Sequence, residues 1–151
     1  MKKILYIILI ITLFILGNKN KIYAQCNNQL VTICSGHLNK KATYLKELKV
    51  RLKAKESGKK APVARYVLML SKGTHYRFSI CNAKEFSGKA VIQLYDNNNR
   101  LLGSSYNPST KKHYPAFDFL CNKSAVYKVL VSFENGKEGC AVGILSMIKD
   151  K

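Results

Sequence analysis

The sequence predicts an all-β sandwich or barrel behind a cleaved export signal. Three observations carry this. From Tyr66 onward apolar residues recur with a period close to two, turn residues interrupt them roughly every ten residues, and the chain opens on an apolar leader. With 151 residues, 47% of them hydrophobic, the chain makes one ordinary domain and has no room for a second sizeable core.

The leader comprises residues 1–24. Lys2 and Lys3 give the positive start, and Ile4 to Leu16 is apolar apart from Thr12. That run falls short of the about 20 residues a transmembrane helix needs. Ile22-Tyr23-Ala24 places a small residue at the cut, leaving Gln25 as the mature N-terminus. Lipidation at Cys26 would need a small residue directly before it, but Gln25 stands there. The expected organisation is a signal peptide over 1–24, an N-terminal extension over 25–41 and a β-sandwich over 42–151, with no transmembrane segment in the mature chain.

The strands follow from alternation. Tyr66, Leu68 and Leu70 alternate with Val67, Met69 and Ser71 up to a turn at Lys72-Gly73. Thr74, Tyr76, Phe78 and Ile80 then share an apolar face opposite His75, Arg77, Ser79 and Cys81, the pattern of a half-buried strand. Ala90, Ile92 and Leu94 share a third face, ending at Asp96-Asn97-Asn98-Asn99, a run that suits a tight turn. Leu101-Leu102 and Phe117, Phe119 and Cys121 mark two short strands, and Tyr127, Val129, Val131 and Phe133 mark a strong one. Asn135-Gly136 predicts a hairpin into a last strand carrying Cys140, Val142 and Ile144. These make seven strands. Residues 42–55 fit two templates: Ala42, Leu45, Leu48 and Leu52 have helical spacing, whereas Leu48, Val50, Leu52 and Ala54 alternate with Lys49, Arg51, Lys53 and Lys55. The strand reading is preferred because an eighth strand completes a two-sheet sandwich.

The five cysteines, Cys26, Cys34, Cys81, Cys121 and Cys140, all follow the leader, so disulfides are the first reading. No CxxC pair or zinc spacing occurs, and an odd count leaves one thiol unpaired or paired with another chain. Cys26 with Cys34 would close a short loop. A link over some 60 residues would stabilise more, by about 4 kcal/mol.

The residues Tyr66 to Phe78, then Ile92-Gln93-Leu94-Tyr95-Asp96, then Ser124 to Val131 occur in an order that resembles the bacterial pre-peptidase C-terminal domain. In that family an apolar strand, a Gly turn and an aromatic strand precede a Leu-Tyr-Asp strand end and a late Tyr-containing strand. The resemblance runs from about Leu48 to Ile148. It implies an eight-stranded jelly-roll β-sandwich in which the strand ending at Cys81 lies antiparallel to the strand beginning at Cys140. That placement in turn implies a Cys81–Cys140 bridge with Cys121 left over.

No catalytic signature is present, so no enzyme activity, cofactor or metal is expected. His37, His75 and His113 have no acid at a spacing that suggests a triad or metal pair, and the eight acids are spread singly. Asp96 to Asn99 lacks the acidic groups of a dedicated Ca²⁺ site, and Cys121 acts as a nucleophile only if it stays reduced beside a base. Charge is what exceeds background. The formal net charge is +18, and removing the leader, with its four lysines and no acid, leaves +14 on 127 residues. Lys49, Arg51, Lys53, Lys55, Lys59 and Lys60 read either as a solvated strand edge or as a face for a polyanion, such as an acidic polysaccharide or lipopolysaccharide. Tyr95, Tyr106 and Tyr114 would add stacking if exposed. Nucleic acid is unsuited to an exported chain except by nonspecific phosphate attraction. The expectation is an exported, non-catalytic binding or accessory module, in the periplasm, at the cell surface or outside, contacting an anionic glycan or envelope surface. The alternative is a structural subunit of an envelope or secretion assembly that binds a protein partner.

Overall fold

The computed structural model describes residues 28–36 and 41–149. The expected signal, Cys26 and His37 lie outside the described residues. Among the described residues one α-helix, α1 (Asn28–Gly36), precedes ten strands: β1 (Ala42–Leu52), β2 (Ala64–Leu70), β3 (His75–Asn82), β4 (Ala90–Tyr95), β5 (Leu101–Ser104), β6 (Tyr106–Asn107), β7 (Lys112–His113), β8 (Ala116–Leu120), β9 (Ala125–Phe133) and β10 (Gly139–Ile148). They form a four-stranded sheet in the order β1-β10-β3-β8, a second in the order β2-β9-β4-β5, and a small ribbon of β6 with β7. Every pairing is antiparallel. The expected strand count of eight gives way to ten. The added pair, two residues each, interrupts the 105–115 connection and is too short to leave an alternation in the sequence.

The core lies between the two four-stranded sheets. Leu48, Val50, Tyr76, Phe78, Ile80, Ala141 and Leu145 come from one, and Leu68, Leu70, Ile92, Leu94, Val129 and Val131 from the other. These are the inward positions that alternation picks out, except on β10, where Ala141 and Leu145 face the core and the expected Val142 and Ile144 face outward. Segment 42–52 is a strand, because Leu48 and Val50 fill this layer while Lys49 and Arg51 stay outside. Phe78 stacks on Phe117 at 5.3 Å, and Phe119 meets Tyr127 edge-on at 5.6 Å, knitting β8 to the centre.

β10 breaks the alternation, since Gly139 to Ser146 are all buried. Its inner side faces the core. Over its outer side lies α1, whose Leu30, Val31 and Cys34 pack on Val142, Ile144 and Cys81. A nine-residue helix is marginal alone, so it depends on this packing and on a Cys34–Cys81 disulfide with Cα atoms 5.9 Å apart. That bridge corrects two expected pairings. β3 and β10 are neighbours, but Cys81 sits opposite Val142 rather than Cys140, and α1 brings Cys34 onto it. Cys34 is therefore unavailable to Cys26 as well. Cys140 is also disulfide-bonded, and Cys121 is a buried free thiol.

Asn135-Gly136 does not make the expected hairpin. Both residues adopt positive φ, +57° and +65°, as such a turn requires. The chain nonetheless crosses between sheets there, because β9 pairs with β2 and β4 whereas β10 pairs with β1 and β3. A 3-10 turn over Glu134–Gly136 makes the corner, fixed by the Glu134 N–H donating to the Lys89 carbonyl at 2.9 Å.

Candidate functional site

The two sheets differ in what covers their outer faces. α1 roofs part of the β1-β10-β3-β8 sheet; the outer face of β2-β9-β4-β5 is bare along β2, where Val67 and Met69 are exposed, while Val91 on β4 is buried beside Tyr106 and the 53–63 loop. Strand parity dictates the residues of that face: Arg65, Val67 and Met69 on β2, Val126, Lys128, Leu130 and Ser132 on β9, and Val91, Gln93 and Tyr95 on β4. Registers Arg65↔Leu130, Val67↔Lys128, Met69↔Val126 and Tyr95↔Lys128 set them side by side. Val67 is 66% and Met69 70% exposed, while the intervening Leu68 and Leu70 are buried. Two adjacent hollows run along the face. One, of about 510 Å³, is lined by Arg65, Val67, Tyr95, Lys128 and Leu130. The other, of about 590 Å³, is bounded by Val91, Gln93, Ser132, Tyr106 and the 53–63 loop.

The charges here are positive and the acids are committed. Asp96 Oδ1 accepts from the Asn98 and Arg100 backbone N–H groups at 2.9 Å, and its Oδ2 accepts from Arg100 Nε at 3.2 Å. These contacts, led by the Arg100 N–H, hold its carboxyl below the usual range. The Asp96–Asn99 run is thus a closed turn whose carboxylate is already used. Glu134 lies 3.2 Å from His113 Nε2, and the His113 ring packs on Tyr106 at 4.7 Å. Spacing alone hid this pair, since 21 residues separate its members. The pair ties the β6–β7 ribbon to the 3-10 turn that follows β9. Lys128 Nζ donates to Asn99 Oδ1 at 3.0 Å, and Arg65 meets no carboxylate among the described residues.

The six basic residues singled out in the sequence do not share a face, because β1 ends at Leu52. Lys49 and Arg51 lie on the outer side of β1. Lys49 Nζ donates to Asn28 Oδ1 of α1 at 2.8 Å, and the Arg51 guanidinium stands over the Phe86 ring at 5.6 Å. Lys53, Lys55, Lys59 and Lys60 belong to the exposed 53–63 loop, where Lys59 pairs with Glu56. The loop is anchored to the 3-10 turn by the Lys55 N–H donating to the Gly136 carbonyl at 2.7 Å. Tyr95 and Tyr106 are half-buried, and Tyr114 is exposed with Lys112 Nζ over its ring at 5.2 Å. His75 opens β3. Among the described residues no group of three His, Cys, Asp or Glu is placed to hold a metal, and no helix is long and apolar enough to cross a membrane.

No protein-family model and no curated protein matches the chain. Among solved structures it is similar to PliG of Aeromonas hydrophila, a periplasmic lysozyme inhibitor of g-type lysozyme. The two share 12% identity and a TM-score of 0.52 over 73% of this chain and 90% of that one, a likeness of fold.

Proposed function

We propose that this chain is an exported, non-catalytic module that binds a protein partner on the outer face of the β2-β9-β4-β5 sheet. The observation that carries the reading is the pair Val67 and Met69, two large apolar side chains exposed on an uncovered sheet face beside Arg65. An exposed apolar patch rimmed by polar groups is what an interaction surface looks like before its partner arrives. The Cys34–Cys81 bridge supports export to an oxidising compartment, and a periplasmic inhibitor of similar fold supports protein binding without catalysis. The strand orders of the two sheets support the jelly-roll reading, and with it the pre-peptidase C-terminal resemblance.

A photo-crosslinking amino acid placed at position 67 tests this, with the same group at position 49 as control. Incubated with periplasmic extract, position 67 is expected to give a discrete protein adduct and position 49 none. Adducts of equal yield at both positions, or none at either, overturn the reading. A second reading places an anionic polysaccharide or lipopolysaccharide on the 53–63 loop, favoured by the exposure of Lys53, Lys55, Lys59 and Lys60 around a single acid, Glu56. It predicts retention on an anionic glycan that falls steeply with salt.

A further inference from the structure

We infer that the partner is acidic and is taken up by strand addition, an extended segment of it pairing with the open edge of β2. This rests on the protein-binding reading above and specifies how that face is used. A strand at the edge of a sheet presents unpaired N–H and C=O groups, and proteins ordinarily blunt such edges with charge, bulges, proline or short length. The sandwich has four edges, and three are blunted. β1 carries Lys46, Lys49 and Arg51, has an irregular register between Tyr44 and Lys46, and has its Lys49 carbonyl taken by the Tyr66 hydroxyl at 2.7 Å. β8 is five residues long, follows Pro115 and holds Asp118 in a two-pronged pair with Arg77. β5 has four residues and a register shift opposite Leu94 and Tyr95.

β2 has none of these protections within Tyr66-Val67-Leu68-Met69-Leu70. It is seven residues long, pairs in a regular register with β9 alone, and bears no charge after Arg65. Among the described residues no backbone group of 64–70 bonds anywhere but in the β9 ladder. An added strand would lie about 4.8 Å from β2, with alternate side chains on the bare outer face. Those side chains would meet Arg65, Val67 and Met69 in turn, so the fitting segment alternates, with an acid opposite Arg65 and apolar residues opposite the other two. Charge selects the occupant. A second mature copy of this chain brings a further +14, whereas an acidic segment finds, among the described residues, Arg65 without a carboxylate and Lys128 held by the neutral Asn99.

The probe is the peptide Glu-Thr-Val-Thr-Val-Thr-Glu, whose outward residues read the same in either direction, with a version carrying Lys for Glu as control. On the full chain, saturation with the acidic peptide is expected to slow amide hydrogen exchange across 64–70 at least tenfold while 46–52 and 116–120 stay unchanged. Arg65→Glu and Val67→Lys, both at outward positions, are expected to weaken binding at least tenfold with unchanged urea midpoints. Binding that leaves the 64–70 amides unprotected, equal binding of the lysine peptide, or no binding at millimolar concentration overturns the inference. So does a dimer that protects these amides without peptide. A protein adduct at position 67 alongside unprotected 64–70 amides leaves the protein-binding reading standing and removes strand addition alone.

Discussion

Replacing Cys34 and Cys81 together by alanine tests how the covered sheet is held. The bridge joins positions 47 residues apart and is the sole covalent tie between α1 and β3. Closing a loop of that size in the unfolded chain is worth about 4 kcal/mol on the chain-entropy account, a large share of the 5–15 kcal/mol by which domains are ordinarily stable. The effect has a local part too. Without the bridge, α1 keeps the packing of Leu30 and Val31 on Val142 and Ile144 and the Lys49–Asn28 hydrogen bond, a weak hold for a nine-residue helix that is marginal on its own. Urea unfolding of the double variant is expected to give a free energy lower by about 3–4 kcal/mol. Hydrogen exchange is expected to show the amides of 30–34 opening at unfolded-chain rates while the inner strands stay protected. A loss under about 1 kcal/mol, or α1 amides as protected as before, would refute the reasoning that the disulfide carries the helix.

Three further outcomes follow from buried or paired groups. Burial first, and then contact with Cys121, pushes the Tyr127 phenol up to about 12 from 10, so the unfolded chain ionises first. The stability this group contributes is whole below pH 10 and is lost as pH rises from 10 to 12. Ultraviolet titration is expected to show late-ionising tyrosines, Tyr66 among them, with the Tyr127 step absent in Tyr127→Phe. Arg77 donates to Asp118 from Nε at 2.6 Å and from a terminal nitrogen at 2.7 Å, holding the carboxyl below its usual range. Arg77→Ala is expected to cost about 0.5–1 kcal/mol at neutral pH by urea unfolding. That difference should vanish as pH falls through the Asp118 titration, because the partner carboxylate then takes up its proton. Cys121 is 1% exposed, so a thiol reagent is expected to label it in urea and not in the native protein, while a nonreducing peptide map returns Cys34 linked to Cys81.

The inner layer of the fold is legible in the sequence because the side-chain period of a strand is two and one face must be dry. Tyr76, Phe78 and Ile80, and equally Tyr127, Val129, Val131 and Phe133, are buried where alternation puts them. The outer layer is harder to read. α1 has only Leu30, Val31 and Cys34 as apolar contacts, too few for a periodic signal, and its bridge to Cys81 is a long-range fact that spacing does not encode. The Asn135-Gly136 pair specifies a tight corner without specifying which sheet the next strand joins. The candidate face hid for a related reason. Val67 and Met69 stand at positions where alternation calls for solvent, and an apolar residue there reads in sequence as a continuous run rather than as a surface. The lysine run was conspicuous, yet the end of β1 at Leu52 divides it between a sheet face and a loop.

The most direct measurement of the central claim compares two variants against the protein captured from position 67. One carries Val67→Lys with Met69→Lys, and the other has Lys53, Lys55, Lys59 and Lys60 replaced by Gln. At physiological salt the face variant is expected to lose at least tenfold in affinity, about 1.4 kcal/mol, and the loop variant less than threefold. The reverse order, with the loop variant losing most of the binding and the face variant keeping it, would contradict the account.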